Sequence, residues 1–237
     1  MTEYSTIVGV AIFAALIILT FMVHDTFFGK EKDPHETIRG ITLDAVFIAI
    51  IMIMTFVPSM GYIPVTPFVS LTLLHIPVLF GAALGGWKKG LLYGFVFGLS
   101  SYMQALSSAG FNALFAFPWV AIPPRAIFGL AAGIAFSLIG KVAQKKRVAL
   151  YLAVACAVLT AMHTVLVFLD LYVFFPDTIA GLFTSGDPIA TGTALTFTLV
   201  ILFGMLGEMA LATLVVPPLY FAVGKVRPRL IRKSKKR

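Results

Sequence analysis

Long apolar runs, separated by short polar breaks, dominate the chain. Seven stand out: residues 5–23, 41–57, 71–86, 91–106, 120–139, 148–175 and 191–223. A helix needs ~20 mostly apolar residues to cross a hydrocarbon core ~30 Å thick. Each run is continuous rather than alternating, so the pattern predicts spanning helices and not the strands of a membrane β-barrel. The last two are long enough to tilt or to extend past the bilayer. The run at 71–86 is short and contains Pro77, and Asp44 lies near the start of 41–57. Arg125 lies inside 120–139 and Glu208 inside 191–223. The expected class is an all-α polytopic membrane protein.

The run at 5–23 has no Lys or Arg before it and is longer than the ~7–15-residue apolar core of a secretion signal. It reads as a retained helix with its N-terminus outside, followed by a polar stretch from Lys30 to Arg39.

Composition narrows the class. The chain has 237 residues, 59% of them apolar and 12% charged, against ~25% charged in a soluble domain. Mean hydropathy is +0.99. A water-soluble fold cannot bury so much apolar surface, and disorder requires low hydrophobicity. The single Cys156 excludes a disulfide framework or a cluster of Cys ligands. Within its apolar run it reads as a small buried residue.

A net charge of +8 and a pI near 9.7 raise the question of nucleic acid, and the distribution answers it. Lys30, Lys32 and Arg39 fall between the first two runs, and Lys88 and Lys89 between the third and fourth. Lys141, Lys145, Lys146 and Arg147 fall between the fifth and sixth, and eight more from Lys225 to Arg237 form the tail. Seventeen of the 18 basic residues therefore lie on one side, Arg125 being the exception. The other side holds Glu3, Asp177 and Asp187. The positive-inside rule makes the basic side cytoplasmic, with the C-terminus there. The basic collar faces anionic lipid, and no nucleic-acid partner is expected.

The outer connections are 58–67, 107–119 and 175–191, rich in Pro, Gly, aromatics and small polar residues. Irregular backbone at a membrane is tolerated where it is buried or lines a cavity, so a ligand site open to the outside would use these loops. Arg125 follows Pro123 and Pro124 and sits one to two turns in from the outer face. A cation there costs ~2–3 kcal/mol by insertion scales. It is met either by Glu208 or Asp170, or by an anionic ligand through charge-assisted hydrogen bonds.

His75, His163, Asp170 and Glu208 are the other ionisable groups in or near the spans. They could satisfy one another, meet a ligand or relay protons; no pair has the spacing of metal ligands. Gln104 and Asn112 can each donate and accept hydrogen bonds. Tyr62, Tyr102, Phe111 and Trp119 are aromatics near the outer face, as ligand contacts or interfacial-belt residues. Small residues recur four apart at Ala45 and Ala49, at Gly86, Gly90, Gly94 and Gly98, and at Gly129 and Gly133. Such ridges let helices approach closely. The chain has no phosphate-binding G-x-x-x-x-G-K-[ST], no nucleophile elbow and no H-E-x-x-H. Neither ATP hydrolysis nor any other enzymatic activity is expected of it.

Three stretches are similar to one family: VSLTLLHIPVLFGA at 69–82, GLLYGFVFGLSS at 90–101 and FPWVAIPPRAIFGL at 117–130. Residues 39 to about 224 resemble the substrate-binding S components of energy-coupling factor (ECF) vitamin transporters. The nearest branch takes up pantothenate, with pyridoxine and hydroxymethylpyrimidine carriers close behind. The resemblance implies a six-helix membrane domain at 39–224 in a bacterial cell membrane. Around it would lie an extra transmembrane helix and linker at 1–38 and a basic tail at 225–237. It also implies a transmembrane coupling subunit and two cytosolic ATPase subunits as partners. ATP would be used by those subunits, and this chain would bind no cofactor.

Ala45 and Ala49 match the family's small-residue face toward the coupling subunit. Two departures stand out: the extra run 5–23, and Phe117 where the family often carries Asn before the proline. With pantothenate as ligand, Arg125 would hold the carboxylate. Asn112, Gln104 and His163 would contact the hydroxyls and amide, Trp119 and Tyr62 would cover the ligand, and Glu208 would complete the site. The reading of another class is a stand-alone proton-coupled transporter using Asp170, Glu208 and His163. No inverted repeat supports it in the pattern of runs.

Overall fold

The computed structural model describes residues 34–64, 70–108, 110–142, 147–184 and 188–226. The predicted first helix at 5–23, the loop 65–69 and the tail from 227 lie outside the described residues.

Helix α1 (Pro34–Phe56) opens on a proline, which suits a first turn whose N–H has no intrahelical partner. Phe47, Ile51 and Thr55, one turn apart, turn inward, while Val46, Ile50 and Ile53 stay exposed. Pro58, Pro64 and Pro67 prevent the helix from continuing. The chain instead forms two short antiparallel strands, β1 (Tyr62–Pro64) and β2 (Ser70–Thr72), with Tyr62 opposite Thr72. This hairpin of three-residue strands is a small addition to the helical architecture that the apolar runs predict. Buried polar backbone must find partners, and here the extended chain finds them in itself. The N–H of Leu73 extends the pairing, donating to the Gly61 carbonyl at 2.8 Å.

Helix α2 (His75–Ala105) is two helices joined at Gly86, where φ 75° and ψ −165° leave the helical region. A straight helix would separate His75 from Phe97 by ~30 Å, yet their rings lie 5.9 Å apart. The chain therefore doubles back at Gly86, a turn that a residue without Cβ adopts freely. The two halves correspond to the runs at 71–86 and 91–106, except that residues 70–72 belong to β2.

A 3-10 turn (Gly110–Phe115) and the short α3 (Pro118–Ala121) lead into α4 (Pro123–Val142). Ile122 keeps helical backbone (φ −88°, ψ −48°), but Pro123 and Pro124 have no N–H to donate to the preceding turn, so the hydrogen-bond ladder breaks there. Helix α5 (Val148–Phe174) follows, then α6 (Pro176–Thr184), which replaces much of the loop expected at 175–191. Helix α7 (Pro188–Val226) accommodates Pro217 and Pro218 inside it. Among the described residues, three stretches are long and apolar enough to cross a membrane: Pro118–Lys141, Val148–Phe174 and Thr198–Val223; Gly40–Phe56 is a shorter apolar helix.

The core gathers Phe47, Ile51, Val78, Leu79, Phe97, Phe128, Leu152, Cys156 and Val216 from all the long helices. Leucines and valines on the outer faces of α5 and α7 are exposed, Phe203 and Leu214 to 70%. An apolar exterior over a packed interior is the arrangement lipid requires, because lipid tails are as apolar as the core itself.

The second half of α2 meets α4 backbone to backbone. Gly90 abuts the Gly129 carbonyl, Gly94 the Arg125 carbonyl, and Gly98 the Cα of Ile122. Gly133 abuts the backbone of Trp87. A methyl group at any of these would collide with main chain, so the glycine ridges are internal packing surfaces. Near the Gly86 turn, Asp44 of α1 pairs with Lys89 and accepts a hydrogen bond from the Tyr93 hydroxyl at 2.6 Å.

Candidate functional site

At the opposite end, the β-hairpin, the start of α2, the 3-10 turn, α4, α5 and α7 enclose a cavity of about 880 Å³, counting its open mouth. Its wall is mixed. Thr72, His75, Ser101, Gln104, Asn112 and Glu208 bring polar groups, and Phe115, Val167, Phe168, Ile201 and Met205 bring apolar surface.

Arg125 is 5% exposed. Its position in the first turn of α4 follows from Pro123 and Pro124, which end α3 and restart the helix. One guanidinium nitrogen donates to the Ala121 carbonyl at 2.7 Å. The group stacks between Phe97 and Phe115, 5.2 and 5.0 Å from their ring centres. Its Nε–H has no hydrogen-bond partner among the described residues, and none of their carboxylates lies within 4.0 Å. Asp170 is near enough to act on it electrostatically but, among the described residues, makes no ion pair and leaves its Oδ2 buried without a partner.

Glu208 faces elsewhere. Its Oε1 accepts the backbone N–H of Thr72 at 2.5 Å, and its Oε2 lies 3.9 Å from His75 Nε2. The Thr72 carbonyl accepts from His75 Nδ1 at 2.8 Å, and His75 Nε2 meets His163 Nδ1 at 2.7 Å. The two imidazoles cross edge to face at 4.3 Å, and Phe128 and Phe97 flank His163. Tyr62 reaches the cavity from β1, its hydroxyl beside Ser101. Burial pushes the Tyr62 phenol above its ordinary pKa in spite of Arg125, so it remains a neutral O–H.

Of the residues singled out in the sequence, Arg125, Asn112, Gln104, Tyr62, His163 and Glu208 all line this cavity. Trp119 does not: it packs against Phe117, ring centres 5.5 Å apart, in a separate cluster with Val120, Leu171 and Phe174. His75 was noted in the sequence only as an ionisable group, and Thr72, Ser101 and Thr164 were not noted at all. Ala45 and Ala49 lie in the middle part of α1, both exposed.

A helical body with an apolar exterior, around a part-enclosed cavity walled by one buried cation and several hydrogen-bonding groups, is a multi-pass membrane protein built to hold a small polar ligand. Comparison with known proteins gives the family. The family described as ECF transporter, substrate-specific component, matches residues 39–220. The chain belongs to this family of transporter components. It is similar to the pantothenic acid transporter PanT of Lactococcus lactis subsp. cremoris, 30% identical over 158 residues, 59% of this chain and 75% of the relative. It is also similar to the pantothenate transporter PanT of Leuconostoc mesenteroides, 31% identical over 104 residues, 42% of this chain and 51% of that protein.

Proposed function

We propose that this chain captures pantothenate at the outer face of a bacterial cell membrane, as the substrate-binding subunit of an ATP-driven ECF importer. One observation carries the reading: Arg125 is buried in the cavity wall with no carboxylate within 4.0 Å among the described residues. A ligand carboxylate would supply the missing charge through two aligned N–H donors. Pantothenate has that carboxylate; pyridoxine and hydroxymethylpyrimidine have none. The names of the two relatives support the same substrate.

In this reading residues 39–224 form a six-helix core, preceded by an extra helix within 1–38 and followed by the tail at 225–237. The Lys89 end and the tail face the cytoplasm and the Arg125 end faces out. Gln104 and Asn112 hydrogen-bond the ligand's hydroxyls and amide, Tyr62 closes over it, and Glu208 braces the hairpin behind it. Trp119 supports the wall through Phe117. Ala45 and Ala49 offer the coupling subunit a small-residue face, which their exposure on α1 supports. The loaded subunit reorients as a body when the coupling subunit engages it, and the two ATPase subunits supply the energy.

Calorimetry on the purified chain tests the substrate. We expect heat with pantothenate at nanomolar affinity, ~12 kcal/mol of binding free energy, and none with pyridoxine. The reverse pattern overturns the assignment. Replacing both Ala45 and Ala49 with Leu should abolish uptake and leave binding intact.

The His75–His163–Glu208 contacts favour a second reading, a proton-coupled carrier. Uptake into vesicles lacking the coupling and ATPase subunits, collapsed by an uncoupler, would establish it instead.

A further inference from the structure

We infer that His163 carries a bare acceptor nitrogen in the cavity wall, against which the ligand places an O–H or N–H donor while its carboxylate meets Arg125. The inference rests on the substrate reading above and adds the polarity of a second contact.

The hydrogen-bond partners assign the tautomers in order. A carbonyl only accepts, so His75 Nδ1, 2.8 Å from the Thr72 carbonyl, must carry a hydrogen. A neutral imidazole carries one N–H, so His75 Nε2 is an acceptor. His163 Nδ1 lies 2.7 Å from it and must donate. His163 Nε2 is then left with a lone pair. That atom is buried and has no partner among the described residues, on a side chain that is 5% exposed and lines the cavity.

A doubly protonated His75 would reverse the order and make His163 Nε2 a donor. Among the described residues the one carboxylate beside His75 is Glu208, and its closest oxygen is 3.9 Å away, beyond hydrogen-bond length. Its other oxygen is taken by the Thr72 N–H. The same cavity already holds the Arg125 cation over the Phe97 ring that stacks on His163. Two neutral rings satisfy every contact without a second desolvated charge.

The hairpin backbone at Thr72 thus sets the chemistry of a side chain two contacts away. An acceptor at His163 and a cation at Arg125 select a ligand with an anionic end and a hydroxyl or amide N–H at a distance from it. A plain carboxylate lacking such a donor would leave the His163 lone pair buried and unpaired, a costly outcome.

The test is nitrogen NMR of the full chain in lipid nanodiscs with labelled histidine. There are 4 histidines, and His163→Gln and His75→Gln identify the two signals by loss. We expect a protonated Nδ1 and an unprotonated Nε2 for His163 without ligand, and a hydrogen-bond shift of Nε2 on adding pantothenate. By calorimetry, pantothenate with both hydroxyls methylated and its amide nitrogen methylated should bind at least roughly tenfold more weakly. A protonated Nε2, or an Nε2 unmoved when pantothenate binds, overturns the inference. Expected nitrogen signals with no pantothenate heat overturn the substrate reading and leave the acceptor polarity standing.

Discussion

The two ends of the molecule use buried charge in opposite ways. Near the Gly86 turn, Asp44 pairs with Lys89 and accepts from Tyr93, so the charges answer one another inside the protein. In the cavity, Arg125 leans on two phenyl rings and its own helix carbonyl, and His163 keeps a buried nitrogen unpaired. Polar groups that satisfy one another hold helices together. Polar groups in a membrane wall left unanswered by protein describe the ligand they await. By this contrast the first end reads as structure and the second as the proposed site.

The contrast can be broken at several points. The largest effect should come from Arg125→Ala, which removes the charge that answers a ligand carboxylate. Affinity for pantothenate should fall by about 2–5 kcal/mol, read by calorimetry, with the thermal transition little changed. An unchanged affinity would remove Arg125 from the site.

Next, Gly90→Ala puts a methyl group against the Gly129 carbonyl. It should cost about 1–3 kcal/mol of stability, seen as a lower Tm in detergent. Asp44→Asn should cost about 1–3 kcal/mol by removing the anion that pairs with Lys89 while changing pantothenate affinity less than about twofold. A large loss of affinity there would erase the distinction between the two ends.

Glu208→Gln keeps an oxygen for the Thr72 N–H but weakens the bond, so affinity should drop only about 2- to 5-fold. Trp119→Phe is expected to do least, within about 0.5 kcal/mol, because Trp119 lies outside the cavity lining.

Much of this was readable before any coordinates. Continuous apolar runs located α1, both halves of α2, α4, α5 and α7, because a membrane demands long uninterrupted hydrophobicity. Arg125 was visible as the one cation away from the basic side. The β-hairpin was not, since Pro64 and three-residue strands give no alternation to read. Helix α6 was hidden in a connection marked by Pro176 and Gly181.

His75 was legible as an ionisable residue but not as a wall of the site. That role depends on α2 folding back at Gly86 to bring its ring against Phe97, and on Thr72 meeting its Nδ1. Trp119 shows the converse. As an aromatic near the outer face it was expected to cover the ligand, but side-chain direction is set by α3, and that helix turns it into the Phe117 cluster.

The contact between Gly94 and the Arg125 carbonyl bears on how sequence variation in this chain should be interpreted. Arg125 owes its position to the absence of a single methyl group on a neighbouring helix. Variants at Gly94 would shift affinity while every ligand-facing side chain stayed the same. In a screen for altered transport they would score beside true contact residues, and their distance from the ligand would tell the two apart.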